Sequence, residues 1–113
     1  MIGDSTMANK SLKNGNIERG WGQMLPEFLI GDVRVDNHAM NGRSSQSFID
    51  EGRWDVVLSK LKSGDYVFIQ FGHNDEKSAE ELHTIPGSTF DENLRRFVRE
   101  TRAKGAYPVL FNS

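Results

Sequence analysis

Tyr66-Val67-Phe68-Ile69-Gln70-Phe71, running into Gly72-His73-Asn74-Asp75, is the stretch that decides the fold. It is apolar almost throughout and ends on glycine and Asx residues. That pattern predicts a strand buried on both faces, which belongs to a parallel sheet covered by helices. On its N-terminal side, Trp54, Val57, Leu58 and Leu61 form a helical stripe closed by Ser63-Gly64-Asp65. On its C-terminal side, Thr89-x-x-Glu92 has the spacing of a capping box ahead of Leu94, Phe97, Val98 and Thr101. A helix is predicted from there to about Lys104-Gly105, followed by a strand at Tyr107–Phe111.

Closer to the start, Trp21, Met24, Leu25, Phe28 and Leu29 fall at helical spacing, with Pro26 tolerated only near the first turn. Val33-Arg34-Val35 predicts a short strand ending in Asp36-Asn37, and Met1-Ile2 reads as the end of another. The order is βαβαβαβ. It predicts an α/β fold, a parallel sheet with helices on both faces. The 113 residues are expected to make one partial domain, 1–113. Little of the first strand is present, and the last has an unpaired apolar edge, so the isolated chain is expected to aggregate readily.

Net charge is -2, from 14 basic and 16 acidic side chains. No basic field is present to draw in nucleic acid or a membrane surface. There are no cysteines, which excludes disulfides and thiolate metal sites. No apolar run approaches the roughly 18 residues of a membrane span, and no leader-like segment precedes Met1-Ile2.

Ligands of open α/β sheets bind outside the carboxyl ends of the strands. Gly3-Asp4-Ser5-Thr6, Asn37–Ser44 and Gly72–Asp75 each follow one of the first three expected strands, so all three should converge on one rim. Ser5, on a strand-to-helix turn, is a candidate nucleophile, with a helix N-terminus behind it to favour negative charge. The alternative is a serine that merely caps the helix. Gly42 lets bare backbone approach a ligand, or it is an ordinary Asn-Gly turn glycine. Asn74 offers an amide donor, or it closes an Asx-turn. Together Ser5 N–H, Gly42 N–H and the Asn74 amide would make an oxyanion hole, each donor typically worth about 3 kcal/mol in a transition state. Asp4 and Asp75 are expected to brace their loops, and Trp21 and Trp54 to pack in the core rather than stack on a sugar.

Gly3-Asp4-Ser5, Gly42 and Gly72-x-Asn74-Asp75 resemble the first three blocks of the SGNH (GDSL) hydrolases. The likeness extends to Gly3–Ala8, Gly20-Trp21-Gly22, Asn41–Ser44, Phe48, Glu51–Trp54 and Gly64–Val67, and it is closest to the rhamnogalacturonan acetylesterase branch. The resemblance implies a three-layer α/β/α flavodoxin-like fold, here truncated at both ends, with Ser5 as nucleophile and Ser5, Gly42 and Asn74 as oxyanion hole. It implies a serine esterase acting on acyl, above all acetyl, esters of pectic polysaccharide such as rhamnogalacturonan. It also implies no metal or organic cofactor and a secreted or periplasmic setting.

Arg43 would contact a galacturonate carboxylate, or form a structural ion pair, and His73 would line the site. The family's Asp and His come from a D-x-x-H block, which these 113 residues do not contain. His38, His73 and His83 all lack an Asp three residues before them. Glu80-x-x-His83 is a poor substitute, better read as surface loop, and a metal site from His73, Asp75 and His83 has nothing to fix its geometry. The chain alone is therefore expected to be nearly inactive, its base lying beyond Ser113. Two alternatives remain: a non-catalytic carbohydrate-binding or structural module, and an SGNH esterase for lipid or thioester substrates.

Overall fold

A computed structural model describes residues 1–113. Three parallel strands form the sheet in the order β1 (Ile2–Gly3), β2 (Tyr66–Gln70), β3 (Tyr107–Leu110). Ile2 pairs with Ile69 and Gly3 with Gln70, while Tyr66 to Ile69 pair with Tyr107 to Leu110. Helices α1 (Trp21–Met24), α2 (Ser45–Asp50), α3 (Arg53–Lys60) and α4 (Thr89–Ala103) connect them. The α/β class and the parallel sheet are as expected.

One sheet face carries the core. Val67 and Ile69 of β2, Ile2 of β1, and Phe71 pack against Phe48 of α2, Trp54 and Val57 of α3, and Phe97 of α4. The aromatic side chains interlock, with Trp54 edge-on to Phe97 at 4.9 Å and Phe71 near Phe48 and Phe97 at 5.4 and 5.6 Å. Each buried side chain of this size contributes about 1.5–3 kcal/mol. The opposite face of β2 is only half covered: Phe68 and Gln70 meet Phe111 and Trp21, and full burial on both faces is not reached.

Four expectations are corrected. Val33–Val35 is not a strand, and Val33 is exposed. The chain runs beside β1 only farther on, where the His38 and Met40 N–H groups donate to Met1 and Gly3 carbonyls at 2.9 and 3.0 Å. Apart from the Met1 nitrogen, which donates to Asp36 O, no N–H of β1 returns a bond to it, so the ladder stays one-sided. The helix expected over Trp21–Leu29 stops at Met24 and continues as a 3₁₀ turn, Leu25–Phe28. Pro26 has no N–H to continue the α ladder, and Phe28 faces solvent.

Thr89 does not cap α4. The N-cap is Ser88, without a side-chain bond, and Thr89 Oγ1 accepts the Ile85 N–H at 2.7 Å instead. Finally, no helix follows Ser5. Residues 4–8 form a single turn closed by Met7 and Ala8 N–H on Asp4 O.

Candidate active site

β1 delivers Ser5 to the rim. Gly3 is required there because a Cβ would meet Gln70 O at 2.7 Å, so only glycine lets β1 lie this close to β2 before the turn. Asp4 is wholly buried, and its Oδ1 accepts the Thr6 N–H at 3.0 Å and lies 2.9 Å from the Thr6 hydroxyl. This brace shapes the turn. Its other oxygen, Oδ2, has no partner. Ser5 is half-buried, and neither its hydroxyl nor its N–H bonds to anything in the chain.

The second loop is the turn Met40–Arg43, closed by Arg43 N–H on Met40 O at 3.4 Å. Gly42 sits there at φ +75°, and a Cβ on it would meet open space. Glycine is selected by the backbone angle, not by a close approach. The Gly42 N–H also has no acceptor within the chain.

The third loop follows β2. Asn74 is buried, and its Nδ2 donates to Arg43 O at 2.9 Å, tying this loop to the second one. An amide nitrogen carries two donor hydrogens, so one remains free. With Met40 N–H on Gly3 O, these bonds bring the three expected loops to one end of the sheet.

Other residues settle elsewhere. Arg43 forms a two-point ion pair with Glu51, at 3.0 and 3.2 Å, and its third nitrogen donates to Asn41 O. Arg53 shares Glu51 at 2.7 Å. Hydrogen bonds from Arg43, then from Arg53, hold the Glu51 carboxyl below its ordinary pKa. The structure thus gives Arg43 a structural partner. His73 is exposed and lines a cavity of about 530 Å³ with Phe71, Thr84, Phe90 and Leu110. Trp21 donates from Nε1 to Gln70 Oε1 at 2.7 Å and leans on Phe111, while Trp54 is core.

None of the three histidines bonds to Ser5. His38 pairs with Asp36 at 2.9 Å beside Met1, at the other end of β1, and that bond holds Asp36 below its ordinary pKa. His83 donates from Nδ1 to Lys77 O at 3.0 Å and makes no pair with Glu80. Asp75 is buried against Ser45 and Thr84, so His73, Asp75 and His83 do not converge as ligands.

Two features escaped the sequence. Helix α2 is opened by a capping box between Ser44 and Ser47, where serine replaces the usual Glu or Gln at the third helical position. Lys10, in the polar loop ahead of α1, reaches back to the rim.

The GDSL-like Lipase/Acylhydrolase family model matches residues 1–112. The chain belongs to the GDSL-like lipase/acylhydrolase family. Among curated relatives, the probable rhamnogalacturonan acetylesterase YesY of Bacillus subtilis is 37% identical over 97% of this chain and 50% of its own. The rhamnogalacturonan acetylesterase RhgT of the same organism is 40% identical over 100% of this chain and 47% of its own. This GDSL-like chain spans about half the length of those relatives. The crystal structure of B. subtilis YxiM superposes with a TM-score of 0.85 at 34% identity, over 99% of this chain and 31% of that one. No helix is long and apolar enough to cross a membrane.

Proposed function

We propose that the chain carries the nucleophile and oxyanion-binding parts of a serine esterase that removes acetyl groups from a pectic polysaccharide such as rhamnogalacturonan. The observation behind this reading is a set of unused donors. Ser5 N–H, Gly42 N–H and one hydrogen of the Asn74 amide lack acceptors, on three loops tied together at one end of the sheet. Ser5 Oγ gives its proton to the base and attacks the ester carbonyl, and the three donors receive the oxyanion. Its collapse breaks the C–O bond to the sugar, whose oxygen takes that proton and leaves as the free hydroxyl. Water then releases acetate from the acyl-enzyme. The acetylesterase relatives support the substrate class, and for a polymer of that kind we propose a secreted or periplasmic setting.

Acetate release from acetylated rhamnogalacturonan by a chain extended to the length of its relatives tests this reading. Ser5→Ala should lower turnover by about 10³-fold or more. Turnover that survives Ser5→Ala would overturn it. Because no histidine bonds to Ser5, the 113 residues alone should label weakly with a fluorophosphonate. Strong, Ser5-dependent labelling would show a base within them.

A second reading, a non-catalytic carbohydrate-binding module, draws on the same unpaired serine. It predicts binding of acetylated oligosaccharide without acetate release.

A further inference from the structure

Lys10 lies outside every motif quoted above, yet its ammonium group reaches two of the three rim loops. Its Nζ donates to the Ser5 carbonyl oxygen and, at 2.5 Å, to Asn41 Oδ1. No carboxylate pairs with it. Its backbone is held from the other side by Gln23, whose Oε1 accepts the Lys10 N–H at 2.9 Å and whose Nε2 donates to Lys10 O at 3.2 Å. The lysine is thus anchored to the end of α1 and stretched across the gap between the Ser5 turn and the Asn41-Gly42 turn.

We infer that Lys10 is a positioning residue for the rim, holding the Ser5 and Gly42 N–H groups in one fixed relation. This rests on the esterase reading. Both N–H groups sit in short turns: one is closed by Met7 and Ala8 on Asp4 O, the other by a single 3.4 Å bond. Neither turn lies within a helix or strand that would fix it. The bonds of Lys10 fall on the Ser5–Thr6 carbonyl, one peptide beyond the Ser5 N–H, and on the side chain of the residue before Gly42, so they restrict how each turn can move.

The test uses Lys10→Met, Asn41→Ala and the double variant, made in a chain extended to the length of its relatives and read by amide hydrogen exchange and by ester turnover. In Lys10→Met, the Ala8 and Arg43 amides should exchange about 10-fold faster, while the Thr84 amide, bonded to Asp75 O, stays unchanged. Turnover should fall about 10- to 100-fold with KM nearly constant. The double variant should be no worse than Lys10→Met alone, since both changes remove the same link.

Unchanged exchange at Ala8 and Arg43 overturns the inference. So does unchanged kcat in a protein whose turnover depends on Ser5. Absence of Ser5-dependent turnover in a chain extended to the length of its relatives sinks the esterase reading instead, and the exchange measurement still decides whether Lys10 holds the two turns.

Discussion

The Asp75 carboxylate caps the first turn of α2 by taking both donors of Ser45: the N–H at 2.9 and 3.1 Å, and the hydroxyl. It also accepts the Thr84 hydroxyl at 3.0 Å. One side chain in the loop after β2 therefore holds a helix 30 residues earlier and a loop nine residues later. Asp75→Ala leaves these buried donors without an acceptor and should cost about 2–4 kcal/mol. Asp75→Asn, which keeps one acceptor oxygen, should cost less. Urea unfolding checks the order, and equal losses in the two variants would contradict it.

Gly20 has no room for a side chain. A Cβ there would lie 2.0 Å from Ala8 O and 2.7 Å from Met7 O. Both are backbone atoms, so the Ser5 turn itself must move. Gly20→Ala should destabilise the fold by about 3 kcal/mol or more and shift the amide resonances of residues 4–8. A melt within a degree or two of wild type would count against this contact.

Glu51 should give stability a small acid dependence. Its carboxyl lies below the ordinary value of 4.5 because of Arg43 and Arg53. A folded-state pKa that is depressed contributes stability above the unfolded value, and that contribution disappears as pH falls through the folded one. Glu51→Gln should therefore weaken the protein at about pH 6 and approach wild type as the pH falls through the depressed folded-state value. The difference is small because Glu51 is 39% exposed, and salt should shrink it further. A gap that stays the same as the pH falls would rule out the ion pair as its source.

Trp54 is fully buried, stacks edge-on against Phe97 and donates to Glu100 Oε1 at 3.2 Å. Trp54→Ala should cost about 3–5 kcal/mol, and Trp54→Phe distinctly less. The denaturation midpoint in urea should follow that order.

The periodic elements were legible because each writes its own signal. Val67 and Ile69, or Trp54 and Val57, reveal their element by spacing alone, and βαβ topology then puts Ser5, Gly42 and Asn74 at one end of the sheet. What was misread depends on partners. Val33–Val35 has β-forming residues but no strand to pair with, and Thr89-x-x-Glu92 has capping spacing, yet its hydroxyl accepts from Ile85. Helix α2 was missed because its capping partner is Ser47 rather than a glutamate.

By itself, the sequence determined the class of fold, the two long β strands, α3, α4 and the rim on which the candidate residues meet. These follow from hydrophobic period and chain direction, which are local properties. Only the tertiary structure decided that Arg43 is taken by Glu51, that Asp75 caps α2, and that Lys10 joins the Ser5 turn to Asn41. Such bonds depend on the distance and direction between atoms far apart in the chain, and no spacing of residues along it encodes them.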